Sequence, residues 1–268
     1  MQRTTTLACR LLATALATGL LPVRAEEAIS TDRPDFVESS DVIPVGRAQL
    51  EAGFAIERDR SSGAKSRTRS TPTLLRIGLG HELEARIEAD GLLHSKATNL
   101  GTGITVNERG TSDVALGLKW HRQDGDEKTG QASTAWLLHL DIDSGSAAFR
   151  GQGLRPSLRY VAEWELPGEW SVGLMPGIAR DTDEQGRHFV AGILALTAST
   201  ELAARWRGFV ELAGQRIASK SRGGTIATFD TGLTWALNPD LQLDLSLQRG
   251  LNRHTPDWAC AFGVSVRY

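Results

Sequence analysis

Acidic and basic side chains recur at every second position in several stretches of this chain. Glu84, Arg86, Glu88 and Asp90 form one such row, and His139 with Asp141, Arg155 with Arg159, and Arg205 with Arg207 form others. Even spacing puts each set on one face of an extended strand. Ionised groups arrayed on one face can line an aqueous path and sort solutes by charge. Packed closely, the same groups pair with one another and fill the space they share. Catalysis asks for more: a nucleophile, a base and an orienting group within mutual reach. His139, Asp141 and Ser144 come nearest, but Ser144 falls past the strand end on the other parity. His81, His94, His121, His188 and His254 are scattered without metal-ligand spacing. The glycines fall in strands and turns rather than in a phosphate-binding loop. The chain is therefore read as having no catalytic residues, no metal site and no cofactor.

The elements that carry these rows are strands. Ala48, Leu50, Ala52, Phe54 and Ile56 alternate with polar or small residues, as do Leu83 to Ala89 and Leu241 to Leu247. A helix would scatter such residues around its circumference. The last stretch sets Trp258, Cys260, Phe262, Val264, Val266 and Tyr268 against a more polar opposite face and ends on an aromatic. Twelve strands are expected, at about 47–57, 70–78, 82–92, 112–121, 132–142, 154–165, 169–180, 188–198, 204–215, 226–237, 241–249 and 257–268. The eighth is the weakest pattern, because 189–198 is apolar or small on both faces.

Arg3 and Arg10 frame the start of an apolar run from Leu11 to Leu21, followed by small residues around Ala25. That is the anatomy of a secretory signal over 1–25, with the mature chain starting near Glu26. No other stretch is long enough for a spanning helix, so a membrane form must be a β-barrel. Hydrophobic content of 40% and a mean hydropathy of −0.23 suit a barrel with a polar lumen or a water-soluble protein equally. A net charge of −2 gives no footprint for nucleic acid.

Connections decide between the two. Leu79–His81, Pro167-Gly168 and Asn238-Pro239-Asp240 are short, whereas 58–69 and 93–111 are long and polar. With 123–131 as the exception, short and long connections alternate, as in a barrel with short periplasmic turns and longer external loops. Trp120, Trp164, Trp170, Trp206 and Trp235 lie near the short-turn ends, a periplasmic aromatic girdle. Trp136 fits it less well, and Trp258 belongs to the opposite rim. A secreted β-sandwich with these tryptophans in its core is the competing architecture.

Residues 31–36 (TDRPDF), 44–53, 73–78, 110–119, 238–244 and the Pro256-Asp257-Trp258 block together resemble outer-membrane transporter-like proteins named after the phenol meta-cleavage degradation pathway. The resemblance spans nearly all of the mature chain. It implies a mid-sized outer-membrane barrel concerned with moving small compounds, aromatic or organic-acid ones among them, without fixing the substrate.

The resulting expectation is an all-β, transmembrane, antiparallel up-and-down barrel of twelve strands over 47–268, with both termini periplasmic. Its partners would be outer-membrane lipids, a small-molecule solute and the barrel-assembly machinery, engaged through the strand ending at Tyr268. The lumen would receive Glu51, Glu57, Arg76, Glu84, Arg86, Glu88, Asp90, Asp113, Lys119, His139, Asp141, Arg155, Arg159, Glu163, Arg205, Arg207, Glu211, Asp230 and Asp244. These could form a solute pathway or a closed network of ion pairs. Arg155, Arg159, Arg205 and Arg207 could act as a ladder for anions, or pair with Glu163, Glu211 and the acidic third strand. The leader, 26–46, with Asp32, Arg33 and Asp35, could hang loose in the periplasm. Alternatively it could fold into the barrel mouth as a plug, with Arg33 salt-bridged to a lumen carboxylate.

Overall fold

A sheet that is greasy on one face and charged on the other has two free edges and two unlike solvents to satisfy. Rolling it shut removes the edges and sends each face to its own medium. The computed structural model describes residues 28–61, 63–183 and 185–268, and they do this; the export signal and the start near Glu26 lie outside them.

Among the described residues fifteen strands run in chain order: β1 (Ala48–Ser61), β2 (Ala64–Ser70), β3 (Thr73–Gly80), β4 (Leu83–Ala89), β5 (Leu92–Asn99), β6 (Thr105–Thr111), β7 (Val114–Gln123), β8 (Ser133–Ile142), β9 (Arg155–Leu166), β10 (Trp170–Thr182), β11 (His188–Ala203), β12 (Trp206–Ile217), β13 (Ile226–Asn238), β14 (Leu241–Gly250) and β15 (Trp258–Arg267). All pairings are antiparallel, and β15 returns to β1 to close the ring. Three pairs, β2/β3, β4/β5 and β6/β7, are single barrel strands broken at 71–72, 90–91 and 112–113, so the barrel has 12 strands. The breaks lie at one level: Thr71 N–H donates to Asp90 O (3.0 Å) and Ser112 N–H to Gly91 O (2.9 Å).

Burial is inverted relative to a water-soluble protein. Leu138 (50%), Leu245 (45%) and Phe262 (53%) are exposed on the outer surface, while Glu51, Arg76, Glu84 and Lys119 inside are fully buried. Outside, Trp206 stacks on Trp235 at 5.0 Å. Trp136, read from sequence as a poor girdle member, stands directly opposite Trp120 in the register and packs on Tyr160 at 4.8 Å.

Two expected loops are instead strand. The stretch 58–69 continues β1 and forms β2, and 93–111 forms the hairpin β5/β6. Above the breaks β1, β2, β5 and β6 pair in that order as an extension of the wall. Both its faces are polar or small, so apolar alternation could not reveal it. Elsewhere at this far end connections 143–154, 218–225 and 251–257 are long, while the shorter 183–187 joins β10 to β11. At the end bearing the termini the connections are tight, 167–169, 204–205 and 239–240, with 124–132 again the exception.

Candidate functional site: the barrel interior

Inward-facing carboxylates need donors, and the chain supplies them from its own leader. Residues 28–46 run through the lumen, and the wall holds their backbone by carboxylates. Glu51 accepts the N–H groups of Asp32 and Arg33, each at 3.1 Å. Glu211 accepts those of Phe36 (2.9 Å) and Val37 (2.7 Å). Glu163 accepts Ser40 N–H at 2.6 Å and Glu84 accepts Ile43 N–H at 2.9 Å. A segment without secondary structure leaves its N–H groups unpaired, and a ring of acceptors satisfies them.

The leader's side chains complete an ionic cluster. Asp32 receives Lys119 Nζ at 2.8 Å, the Arg86 guanidinium, and Arg76 Nη1 at 3.5 Å. Arg76 also donates to Glu84 (2.9 Å), Glu51 (3.1 Å) and the carbonyl of Asp41 (2.9 Å). Glu38 pairs with Arg86 at 2.7 Å and Arg159 at 2.6 Å. Arg33 bridges to Asp244 at 3.0 Å. Burying this many charges is tolerable only because each meets partners of opposite sign.

Glycines make room for the segment. Gly53 and Gly263 face each other across β1 and β15. A Cβ at Gly53 would stand 2.7 Å from Arg33 Nη2, and one at Gly263 would stand 2.6 Å from its Nε. At Gly78 a Cβ would collide with the carbonyls of Ile43 and Pro44.

The opposite wall is apolar. Leu137, Val161, Met175, Ala195 and Ala213 form a buried cluster around Val37, with Phe36 packed against it. Arg159 lies 5.4 Å over the Phe36 ring. Sequence reading did not assign these inner residues. Only Ala195 had a signal, the both-faces-apolar pattern of 189–198.

Of the expected lumen residues, Glu51, Arg76, Glu84, Arg86, Lys119, Arg159, Glu163, Glu211 and Asp244 meet the leader. His139 is buried 3.8 Å from Glu38 and 3.7 Å from Glu88. Ser144 instead binds backbone, accepting Val114 N–H at 3.0 Å and donating to Ile142 O. Glu211 and Asp230 oppose each other across β12 and β13. Asp141 and Arg155 border a cavity at the far end.

The arginine expectation needs correction. Arg205 is not a lumen residue: it occupies the left-handed position of the turn between β11 and β12 (φ 71), exposed, and donates to Leu237 O at 3.1 Å. Arg207 faces inward but binds the hydroxyls of Ser171 (2.9 Å) and Ser199 (3.0 Å). Arg155 pairs with Asp113 at 2.6 Å, and Arg159 with Glu38. Among the described residues neither the four-member ladder nor the pairing with Glu163, Glu211 and the acidic third strand forms, because the Leu237 carbonyl takes Arg205, wall hydroxyls take Arg207, the rim carboxylate Asp113 takes Arg155 and the leader takes Arg159.

Space remains on both sides of the leader. A cavity of about 610 Å³ opens at the termini end, bordered by Ser30, Asp35, Glu163, Arg207 and Gln242. Another of about 370 Å³ lies beyond it, bordered by Phe36, Glu57, Asp230 and Gln248. Pro34 and Asp35 border both.

A family model described as "Putative MetA-pathway of phenol degradation" matches residues 31–268. Among solved structures, the COG4313 outer membrane channel from Pseudomonas putida F1 is similar at a TM-score of 0.63 and 12% identity, covering 86% of this chain and 98% of that one. The β domain of the Bordetella autotransporter BrkA is similar at 0.53 and 15% identity, covering 82% and 98%. The KdgM porin in complex with disordered oligogalacturonate is similar at 0.52 and 8% identity, covering 81% and 98%. At these identities the likeness is one of fold. A comparison with curated proteins found no match.

Proposed function

The chain belongs to the phenol-degradation MetA-pathway family, and from that premise we propose that it is an outer-membrane channel through which small organic solutes pass without energy coupling. The observation that carries this reading is a charged lumen holding cavities of about 610 and 370 Å³ on either side of one crossing segment. In this reading residues 28–46 are the constriction, and Pro34 with Asp35 is the part of it that borders both cavities. The interior pairs a cationic and acidic wall with an apolar one formed by Leu137, Val161 and Met175. Such a lumen suits a solute with one greasy and one ionisable face, as an aromatic or organic acid has.

The termini end is assigned to the periplasm, since the tight turns and most of the tryptophans gather there. The outer membrane and its lipids are the surroundings, and the final strand is the element presented to the assembly machinery. Thr102→Cys, in the β5–β6 connection, is expected to react with an impermeant maleimide on intact cells; protection would reverse the orientation.

Purified protein in planar bilayers is expected to give stepwise currents, larger after deletion of 26–43. Persistent silence from the full chain, relieved by the deletion, would favour a plugged barrel that serves as a structural or binding element of the envelope.

A further inference from the structure

The outer surface of the far-end extension carries an unexplained charge pattern. Residues paired across strands share a face, so the register fixes rows on the outside of the wall. One row reads Trp258, Arg58, Arg67, Lys96, Asn107 across β15, β1, β2, β5 and β6. The row below reads Ile56, Arg69, His94, Arg109, and the row above begins with Arg60 and Lys65. Arg58 lies 5.0 Å over the outward ring of Trp258. The acids of these strands, Glu57, Asp59 and Glu108, fall on the other parity, on the opposite face of the wall. Among the described residues no ion pair is made by Arg58, Arg67, Arg69, Lys96 or Arg109.

Like charges directly opposite one another weaken a sheet. Arg69 first, then partial burial and Arg58, push the Arg67 guanidinium below its ordinary value. Protection of an open edge explains a charge on β6, which has a neighbour on one side only. It does not explain Arg58, Arg67 and Lys96, whose strands are paired on both sides.

Position supplies the counter-charge. The rows sit immediately above the outward-facing Phe54, with Ile56 in the lowest of them. At the level of the strand breaks the surface is hollowed by a cavity of about 510 Å³, bordered by Phe54 and Leu92 below and by Arg69, His94 and Arg109 above. Apolar side chains under a bank of guanidinium groups match a molecule with acyl chains below and phosphate above.

We infer that the outward face of β1, β2, β5 and β6 is a binding site for a phosphorylated glycolipid headgroup of the outer leaflet. The phosphates lie against Arg67, Arg69, Lys96 and Arg109, and an acyl chain lies in the hollow at Phe54 and Leu92. Headgroup charge then offsets the cross-strand repulsion, and lipid holds the extension upright. The site rests on the far end being external, as proposed above, but not on conduction.

The test is native mass spectrometry of the full chain in detergent with a chelator present. The probes are bisphosphorylated lipid A and the same lipid stripped of phosphate. The phosphorylated form is expected to be retained about tenfold better, as several basic residues near an anionic headgroup would give. That preference should vanish in Arg67→Gln/Arg69→Gln/Lys96→Gln/Arg109→Gln. Heat-modifiable gel mobility reports folding, and Arg67→Gln/Arg69→Gln serves if the fourfold variant does not fold. Equal retention of both lipids, an unchanged preference in the variants, or complete displacement by excess inorganic phosphate would overturn the assignment. Conductance and the Thr102→Cys orientation are read separately, so failure here leaves the channel reading standing, and the reverse.

Discussion

Asp32 is the residue on which most of the interior converges. It faces Arg76, Arg86 and Lys119 at once, and its N–H reaches Glu51. Removing one member of a buried ionic group leaves the others uncompensated, at a cost of about 3–5 kcal/mol. Asp32→Asn is therefore expected to loosen residues 30–43, seen as faster amide exchange there and larger unitary currents. Unchanged exchange would mean that the neighbouring pairs hold the segment alone. At the far rim, Asp113 plays a smaller version of this part. Burial raises its carboxyl, but the N–H groups of Gly145 and Gly151 and the Arg155 guanidinium outweigh it and hold it below the ordinary aspartate value. A carboxyl depressed in the folded state stabilises it above the unfolded value, near 3.9, and loses that contribution as pH falls through the folded one. The clamp on 145–151 should thus persist at pH 4 and open only in stronger acid, measurable as exchange of the Gly145 and Gly151 amides. Asp113→Asn should show weakened protection already at pH 7.

At the scale of the element, strand parity is the organising variable. Leu245 faces outward and its neighbour Ser246 borders the lumen cavity. Leu245→Arg is expected to cost about 2–4 kcal/mol in urea unfolding from lipid vesicles, the range for a cation at the lipid-facing midplane. Ser246→Arg should cost far less, since its charge enters a wet, polar space. Equal effects would contradict the sorting of the two faces. Strand also makes the leader's cradle: β1 and β15 present glycine to each other where the Arg33 guanidinium passes. Gly263→Val is expected to expel Arg33 from Asp244 and raise conductance without lowering barrel stability by a comparable amount.

For the molecule as a whole, closure is the decisive event. β1 and β15 pair from Gln49–Arg267 to Arg58–Trp258, and the last residue seals the seam through Tyr268 N–H to Ala48 O at 2.8 Å and Ala48 N–H to Tyr268 O at 3.3 Å. Among the described residues, closing leaves β6, in the far-end extension, as the strand with a neighbour on one side only. Deleting Tyr268 is expected to reduce the yield of folded, heat-modifiable barrel in membranes while leaving unitary conductance of the assembled fraction unchanged. The interior also depends on closure, since acids from β1, β4, β9 and β12 reach one leader only when the sheet is a ring.

Alternation along the chain, tight turns such as Pro167-Gly168 and the aromatic final strand were enough to establish a twelve-stranded barrel. These are local properties, written in spacing of two and in turn chemistry, so they survive without coordinates. The course of 28–46 was not legible, because its charges suit periplasmic water as well as a lumen. The choice lies with Glu51, Glu84, Glu163 and Glu211, which come together only in three dimensions. The hairpin β5/β6 escaped notice for a related reason: pairing that is polar on both faces leaves no hydrophobic period. Arg205 was misplaced because one residue separates a strand face from a turn, and only the register of β11 and β12 says which it is. Periodicity assigns each residue its side of the wall; only the closed ring decides which charges meet across it.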